Sequence, residues 1–360
     1  MKGLRVLVLG RDSLVAPGVE SLSVSARISE IMDYLEYSLN VDYIYVSEED
    51  PCVNNAVIWS NVIILNKHRS AKSFQLVKFA SSLFKGLIYD LDDWIFSFPS
   101  YSAGSIIVQN YSLDIISYCD YVTVSNMELI KILPKFIPNA NLVYMPNGMW
   151  IERYEEYYNN KLKSPSSLSN KILFTNADFL KVENSKDDIL TALNVFFLRH
   201  PDLVLDFFGD PFPEMFSLPF LHFTSRTPYQ TYMQTIMRSN YLFAISPLGA
   251  SEDIDSLEFN RCKNPFKYIN YSVARIPGIY SSADIYINCV QNGITGLLVE
   301  NNYHDWLNAM ELYLDDSNLR NRVIDASYQH VKYNFHISKS AFILSNLILK
   351  LTTNKSVNCV

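Results

Sequence analysis

The chain alternates between short apolar runs and helical segments, and it does so twice. In the first half "RVLVLG" from Arg5, "DYIYV" from Asp42, "AVIWSNVIILN" from Ala56, "GLIYDLDD" from Gly86, "YVTVSN" from Tyr121 and "NLVYMPNG" from Asn141 read as buried strands. Helical spacing lies between them, as in "SVSARISEIMDYLEYSL" from Ser23. Strands that are apolar throughout and separated by helices predict a parallel sheet covered on both faces. After the polar stretch "NNKLKSPSSLSNK" (159–171), the best linker in the sequence, the alternation restarts. "KILFTNAD", "LVLDFFGD", "YLFAISPL", "PGIYSS" and "TGLLVEN" read as strands, and "KDDILTALNVFFLRH", "YQTYMQTIMRS" and "HDWLNAMELYLDD" as helices. The expectation is two α/β halves with a ligand cleft between their sheets, because open parallel sheets bind at the carboxyl ends of their strands. The closing segment "SKSAFILSNLILKL" has helical spacing and belongs to neither alternation.

Bulk properties narrow the function. The 360 residues suffice for two domains, and 49% hydrophobic residues allow sizeable cores. A formal net charge of -7 argues against nucleic acid as the main partner, since a phosphate backbone demands a broad basic surface. An anionic metabolite needs only a few local cations. Five scattered cysteines, with no C-x-x-C pair, fit a reducing compartment. The first apolar run meets Arg11-Asp12 too soon for a signal sequence, and no segment approaches the roughly 20 apolar residues of a membrane span. The six histidines form no H-x-x-H or H-x-x-x-H pair, so zinc is not expected.

One segment carries local chemistry of its own. Asn264-Pro265 is a helix start, with Asn as N-cap and Pro at the first helical position. Ile276-Pro277 stops the helix. Phe266, Ile269 and Val273 share one face; Lys267, Asn270 and Tyr271 share another. A helix N-terminus offers N–H groups and partial positive charge, and Lys263 and Lys267 sharpen its fit to a phosphate. A solvated amphipathic helix with surface lysines is the plain alternative.

"NPFKYINYSVARIPGIYSS" resembles the nucleotide-sugar motif of group 1 glycosyltransferases, the family 4-like members of the GT-B fold. "YLFAISPL" resembles the strand that precedes that motif, and "NGITGLLVENNYHDW" the loop and helix that follow. "DDSNLRNRVIDASYQHVKYNF" resembles the closing helices, and "SARISEIMDYL", "LIYDLDDWIF", "YVTVSN" and "MPNG" resemble segments of the first domain. The resemblance implies two Rossmann-like domains whose parallel sheets face an interdomain cleft. It divides the chain into an acceptor-side domain (1–158), a linker (159–170), a nucleotide-sugar domain (171–336) and a final helix and tail (337–360) that return to the first domain. It implies a hexosyltransferase that moves a sugar from a nucleotide sugar to a hydroxyl of a glycan or lipid-linked glycan, with retention and without metal or other cofactor. Asn260, Lys263, Lys267, Asn270 and Gly209 would bind the donor. Family members commonly work on cytoplasmic glycan precursors, which implies a cytoplasmic location and allows peripheral membrane contact. The sequence departs from the family at the paired glutamates, replaced by Cys262 and Asn270, and at the glycine-arginine after the second domain's first strand, replaced by Asn176 and Ala177. A neutral amide binds a hydroxyl more weakly than a carboxylate does. Lys181 or Lys186 would have to replace the missing arginine.

"IYDLDDWIF" sets Asp90, Asp92 and Asp93 after a strand. In the GT-B reading they line the acceptor side: Asp92 and Asp93 are candidates for catalysis, and Asp90 joins Arg27 on the acceptor side, with a plain surface arginine the slightly favoured alternative for Arg27. A strand-end turn or helix cap is the structural alternative. D-x-D also marks the metal site of the other glycosyltransferase fold, GT-A. A phosphatase is disfavoured because Trp94 stands where its motif needs Thr or Val. His68 is a lone histidine near the cleft, Ser125-Asn126 reads as a cap and Asn147-Gly148 as a turn. Asp206, Gly209 and Asp210 close a strand of the second half, with Gly209 letting backbone approach a ligand. The rival class is a non-catalytic GT-B partner of an active transferase, motivated by the missing glutamates.

Overall fold

The structure, a computed structural model, describes residues 3–11, 20–96, 110–162, 169–176, 185–249 and 254–357. Two six-stranded sheets organise it, and every pairing is parallel. The first contains β1 (Arg5–Gly10), β2 (Asp42–Ser47), β3 (Val62–Asn66), β4 (Gly86–Leu91), β5 (Tyr121–Val124) and β6 (Leu142–Tyr144), ordered β2-β1-β3-β4-β5-β6. The second contains β7 (Lys171–Asn176), β8 (Val204–Gly209), β9 (Leu221–Thr224), β10 (Phe243–Ser246), β11 (Gly278–Ser281) and β12 (Leu297–Val299), ordered β12-β11-β10-β7-β8-β9. Each order reverses once, at β1/β3 and at β7/β10. At such a point the crossovers diverge to opposite faces and leave a crevice at the carboxyl ends.

The predicted strands form with two differences. "AVIWSNVIILN" is not one strand: Val53–Trp59 is helical, and only Val62–Asn66 joins the sheet. The Ser60 hydroxyl, 3.0 Å from the Val57 carbonyl, helps close that helix. The edge strand β9 has no counterpart among the predicted runs. Its sequence LHFT is short and partly exposed, so it lacks the apolar signature of a central strand.

Two segments tie the halves together. The helix Ile151–Leu162 runs through the start of the predicted linker and packs against Tyr229–Arg238 of the second domain. Its Ile151 and Tyr154 lie in the same buried cluster as Tyr229, Tyr232 and Tyr268. The last helix, Ser338–Val357, lies back on β3, β4 and the helix Glu30–Leu39 of the first domain. Its Ala341, Leu344, Leu347, Ile348 and Leu351 share a core with Val6, Val8 and Ile64. Each fully buried Leu or Ile contributes about 1.5–3 kcal/mol, so this apolar stripe is a strong tether. Among the described residues no helix is long and apolar enough to cross a membrane.

Candidate active site

A pocket of about 280 Å³ lies between the domains. Its floor is the second domain's reversal point, with Thr175 at the end of β7 and Leu248 just past β10. Gly209, at the end of β8, also lines it with φ of 117°, a backbone conformation that side-chained residues rarely adopt. Leu22, Ser23, Ala26 and Asp93 form the wall from the first domain.

The helix predicted around Lys267 spans Phe266–Val273 and opens on this pocket. Pro265 precedes it rather than starting it, and the Asn264 carboxamide oxygen accepts from Phe266 N at 3.3 Å. Lys263, Asn264, Phe266, Lys267 and Asn270 all line the cavity. The predicted polar face is narrower than its spacing implied. Tyr271 is fully buried and stacks on Tyr280, so it belongs to the core. After the helix Arg275 takes a φ of 58°, and the chain turns into β11. Asn270 is buried, and its oxygen accepts from the Tyr229 hydroxyl at 2.8 Å. That bond engages one lone pair of the amide oxygen and fixes the orientation of the side chain at the cavity. Asn260 does not line the pocket; its amide donates to the Gly249 carbonyl at 2.6 Å.

Lys263 bridges the cleft. Its ammonium lies 2.9 and 2.8 Å from the two carboxylate oxygens of Asp93. It also lies 3.6 Å from the centre of the Phe259 ring. Asn126 both caps its own helix, accepting from Leu129 N at 3.0 Å, and donates across to the Lys263 carbonyl at 3.1 Å. Phe259 and Cys262 pack into the first domain's core with Trp94 and Leu129. Burial, with Asp93 and Glu128 nearby, pushes the Cys262 thiol up to about 12, so it is inert as a nucleophile. The residue in place of a family glutamate therefore serves as an interdomain anchor.

The remaining candidates of the first domain form a buried network. Arg27 sits on a π-helical turn, Val24–Ser29, that runs into Glu30–Leu39. Its Nε donates to both oxygens of Asp90, at 3.0 and 2.9 Å, and both side chains are 0% exposed. The other guanidinium nitrogens reach Asn147 and the Met145 carbonyl, both at 2.8 Å. Asn66 and Thr123 complete the shell of Asp90. Arg27 and Asp90 thus neutralise each other behind the cleft wall, and Asn147 is part of their cage rather than only a turn. Asp92 is likewise enclosed, 2.9 Å from Lys67 and 3.2 Å from the Asn66 amide. Burial pushes its carboxyl up, but Lys67, Arg27 and Asn66 outweigh burial and hold it well below its ordinary range. A carboxylate held that far down is a poor base. Of the three aspartates only Asp93 lines the pocket.

Other predicted residues lie elsewhere. Lys186 pairs with Glu214 at the surface, and Lys181 and Ala177 lie outside the described residues. Asp206 faces His222 and Tyr241, each at 2.7 Å. Asp210 pairs with Arg226, itself a pocket residue. Sequence reasoning missed Ser225, Arg226 and Thr227, which follow the unpredicted β9, and the aromatic lining of Phe208, Tyr229, Tyr232 and Tyr286. Only the "TSRTP" turn signal after Phe223 pointed there. Among the described residues no group of three His, Cys, Asp or Glu side chains is placed to hold a metal.

No family model matches the chain, and no curated protein does. Solved structures are similar over nearly its whole length. A glycosyltransferase from Rickettsia africae ESF-5 superposes with a TM-score of 0.64 at 13% identity, covering 98% of this chain and 100% of that one. Anabaena HepE, solved in complex with UDP and glucose, gives 0.63 at 10% identity, covering 96% and 100%. Sucrose-phosphate synthase from Thermosynechococcus elongatus gives 0.59 at 12% identity, covering 98% and 100%. With two facing parallel sheets and a last helix that returns to the first domain, the chain has the GT-B fold.

Proposed function

We propose that the protein is a glycosyltransferase that takes a nucleotide sugar in the interdomain pocket and passes the sugar to a hydroxyl of a glycan or lipid-linked glycan. The observation that carries this reading is the placement of Lys263, Lys267 and a helix start at one cavity on the β7/β10 reversal point. Cations and helix N–H groups at the carboxyl ends of a parallel sheet suit a diphosphate. The structures of HepE with UDP and glucose, and with UDP-glucose, support the same donor class here.

In this scheme the acceptor hydroxyl attacks the anomeric carbon as the bond from that carbon to the diphosphate oxygen breaks. The nucleoside diphosphate leaves with the bonding electrons, and Lys263 and Lys267 stabilise its added charge. The hydroxyl proton passes to the leaving phosphate or to Asp93, the one aspartate of the motif that lines the pocket. Asp92 holds Lys67 in place rather than taking the proton. We assign the hexose donor, the retention of configuration and the independence from metal on the resemblance of the Asn264–Ser282 segment to group 1 transferases. A cytoplasmic location with peripheral membrane contact follows from the same resemblance.

Calorimetric titration with UDP and with UDP-glucose tests the reading. Binding is expected, with Lys267→Met weakening it about tenfold or more, the value of one charge-assisted contact. Failure of the folded protein to bind any nucleotide would remove the reading. A second reading, a non-catalytic GT-B partner, is favoured by the Asn270 amide held by Tyr229 where a carboxylate is expected. Nucleotide binding without hydrolysis or transfer of the sugar, across a panel of acceptors, would select it.

A further inference from the structure

The buried pair of Lys67 and Asp92 reaches the cavity through a third residue. Ser23 lines the first-domain wall beside Leu22, Ala26 and Asp93. The Lys67 ammonium donates to Ser23 Oγ at 2.9 Å and lies 2.9 Å from Asp92 Oδ1. The side chains of Lys67 and Asp92 are 10% and 1% exposed, so the pair is largely withdrawn from water. Two unusual stretches of backbone meet at this contact. The π-helical turn Val24–Ser29 starts directly after Ser23; it carries Ala26 at the cavity and Arg27 in the cage around Asp90. Lys67 follows β3 with a φ of 51°, in the left-handed region that residues with a side chain rarely adopt. Its N–H donates to the Asp90 carbonyl at 3.0 Å, which fixes the turn against β4. Backbone held in a disfavoured conformation points to a local task for the side chain it aims.

The chemistry of the contact sets the role of the hydroxyl. An ammonium group offers donors and no acceptor, so Ser23 Oγ accepts from Lys67 and its own O–H is left to donate. Among the described residues the Ser23 side chain has Lys67 as its hydrogen-bond partner. A hydroxyl that accepts from a cation is polarised and donates more strongly. The other polar side chain on this wall, Asp93, has both carboxylate oxygens on Lys263. Ser23 therefore brings the first domain's uncommitted hydrogen-bond donor to the cavity. The cations of the cavity, Lys263, Lys267 and Arg226, all belong to the second domain.

We propose that Ser23 donates a hydrogen bond to the sugar of the bound nucleotide sugar, and that Lys67, held by Asp92, is the positioning residue that presents its hydroxyl. The proposal rests on the transferase reading and deepens it by dividing the pocket between the domains. Lys263 and Lys267 receive the diphosphate, because an anion is drawn to cations and helix N–H groups. Ser23, on the opposite wall, meets an uncharged sugar oxygen, which accepts a hydrogen bond without needing a cation. Asp92 then serves binding through two other side chains and takes no proton.

Calorimetric titration of the full-length protein with UDP and with UDP-glucose separates the two halves of the ligand. Ser23→Ala should weaken UDP-glucose about three- to tenfold and leave UDP unchanged. Ser23→Thr, which keeps the hydroxyl, should restore UDP-glucose binding. Lys67→Met combined with Asp92→Asn removes the ion pair without stranding a buried charge. In that background Ser23→Ala should change UDP-glucose affinity less than about twofold, and a full effect there would deny Lys67 its role. If that background does not fold, the comparison of Ser23→Ala with Ser23→Thr decides, since Ser23 is only half-buried. Equal weakening of UDP and UDP-glucose by Ser23→Ala, or no weakening of either, overturns the proposal and leaves the transferase reading standing. Absence of UDP binding by the folded wild-type protein removes that reading and this proposal with it.

Discussion

The carboxyl edges of the two sheets place their charges differently. On the first, Arg27 with Asp90 and Lys67 with Asp92 are mutually neutralised inside the protein. On the second, Lys263 and Lys267 stand at the wall of a cavity, and the partner of Lys263, Asp93, lines the same cavity from the first domain. The aspartate-rich motif looks the more catalytic in sequence, yet two of its three carboxylates hold the first domain together. Two identical residue types in one motif can therefore have different roles, decided by what surrounds them.

The sharpest way to break the contrast is to leave a charge unpaired on the first edge. Arg27→Met strands Asp90 in a fully buried cage, and a loss of about 3–5 kcal/mol of stability is expected. The midpoint of urea unfolding measures it. Lys267→Met, at a half-buried position on the cavity wall, should move the same midpoint by less than Arg27→Met does. Equal effects would erase the distinction between the two edges.

Acidity probes the first domain next. Glu30 is buried, and its carboxylate accepts from Trp150 N and the Tyr154 hydroxyl, each at 3.0 Å, so it joins the first domain to the connecting helix. Burial raises it from 4.5 to about 7, opposed by those bonds and by Arg153, with Asp33 adding to the rise. Between these values the folded state keeps a proton that the unfolded state has lost. Stability from this group therefore falls as pH rises from 4.5 to about 7, and the full cost, on the order of 3 kcal/mol, persists above. His68 acts in the other direction between about 3 and 6.5, since its folded form resists protonation. Comparing Glu30→Gln with wild type at each pH cancels that contribution. The variant should gain relative stability as pH rises; no change in the difference would refute the assignment.

A modest effect concerns the one aspartate that belongs to both edges. A double-mutant cycle of Lys263→Met and Asp93→Asn should give a coupling of about 1 kcal/mol, because the pair is only partly shielded from water. If Asp93 competes with a donor phosphate for Lys263, Asp93→Asn should also tighten UDP binding. Unchanged or weaker binding would separate Asp93 from the donor site.

Much of the architecture was legible beforehand. Eleven of the twelve strands overlap predicted runs, because central parallel strands are uniformly apolar; β9 escaped as a short edge strand. The helix at Phe266–Val273 was legible from its Asn-Pro start, and its place at the pocket from the rule that ligands collect at strand ends. The roles of Asp90, Asp92, Arg27 and Cys262 were not legible. Their partners lie far along the chain: 63 residues separate Arg27 from Asp90, and 170 separate Lys263 from Asp93.

The sequence by itself determined the alternation, the two sheets and a cationic helix start, since each depends on periods and caps read over a few neighbouring residues. Tertiary structure decided which charges line the cavity and which are enclosed with each other. The strength of a charge pair depends on distance and solvent exposure, and both are set by how the two domains and their connecting helices pack.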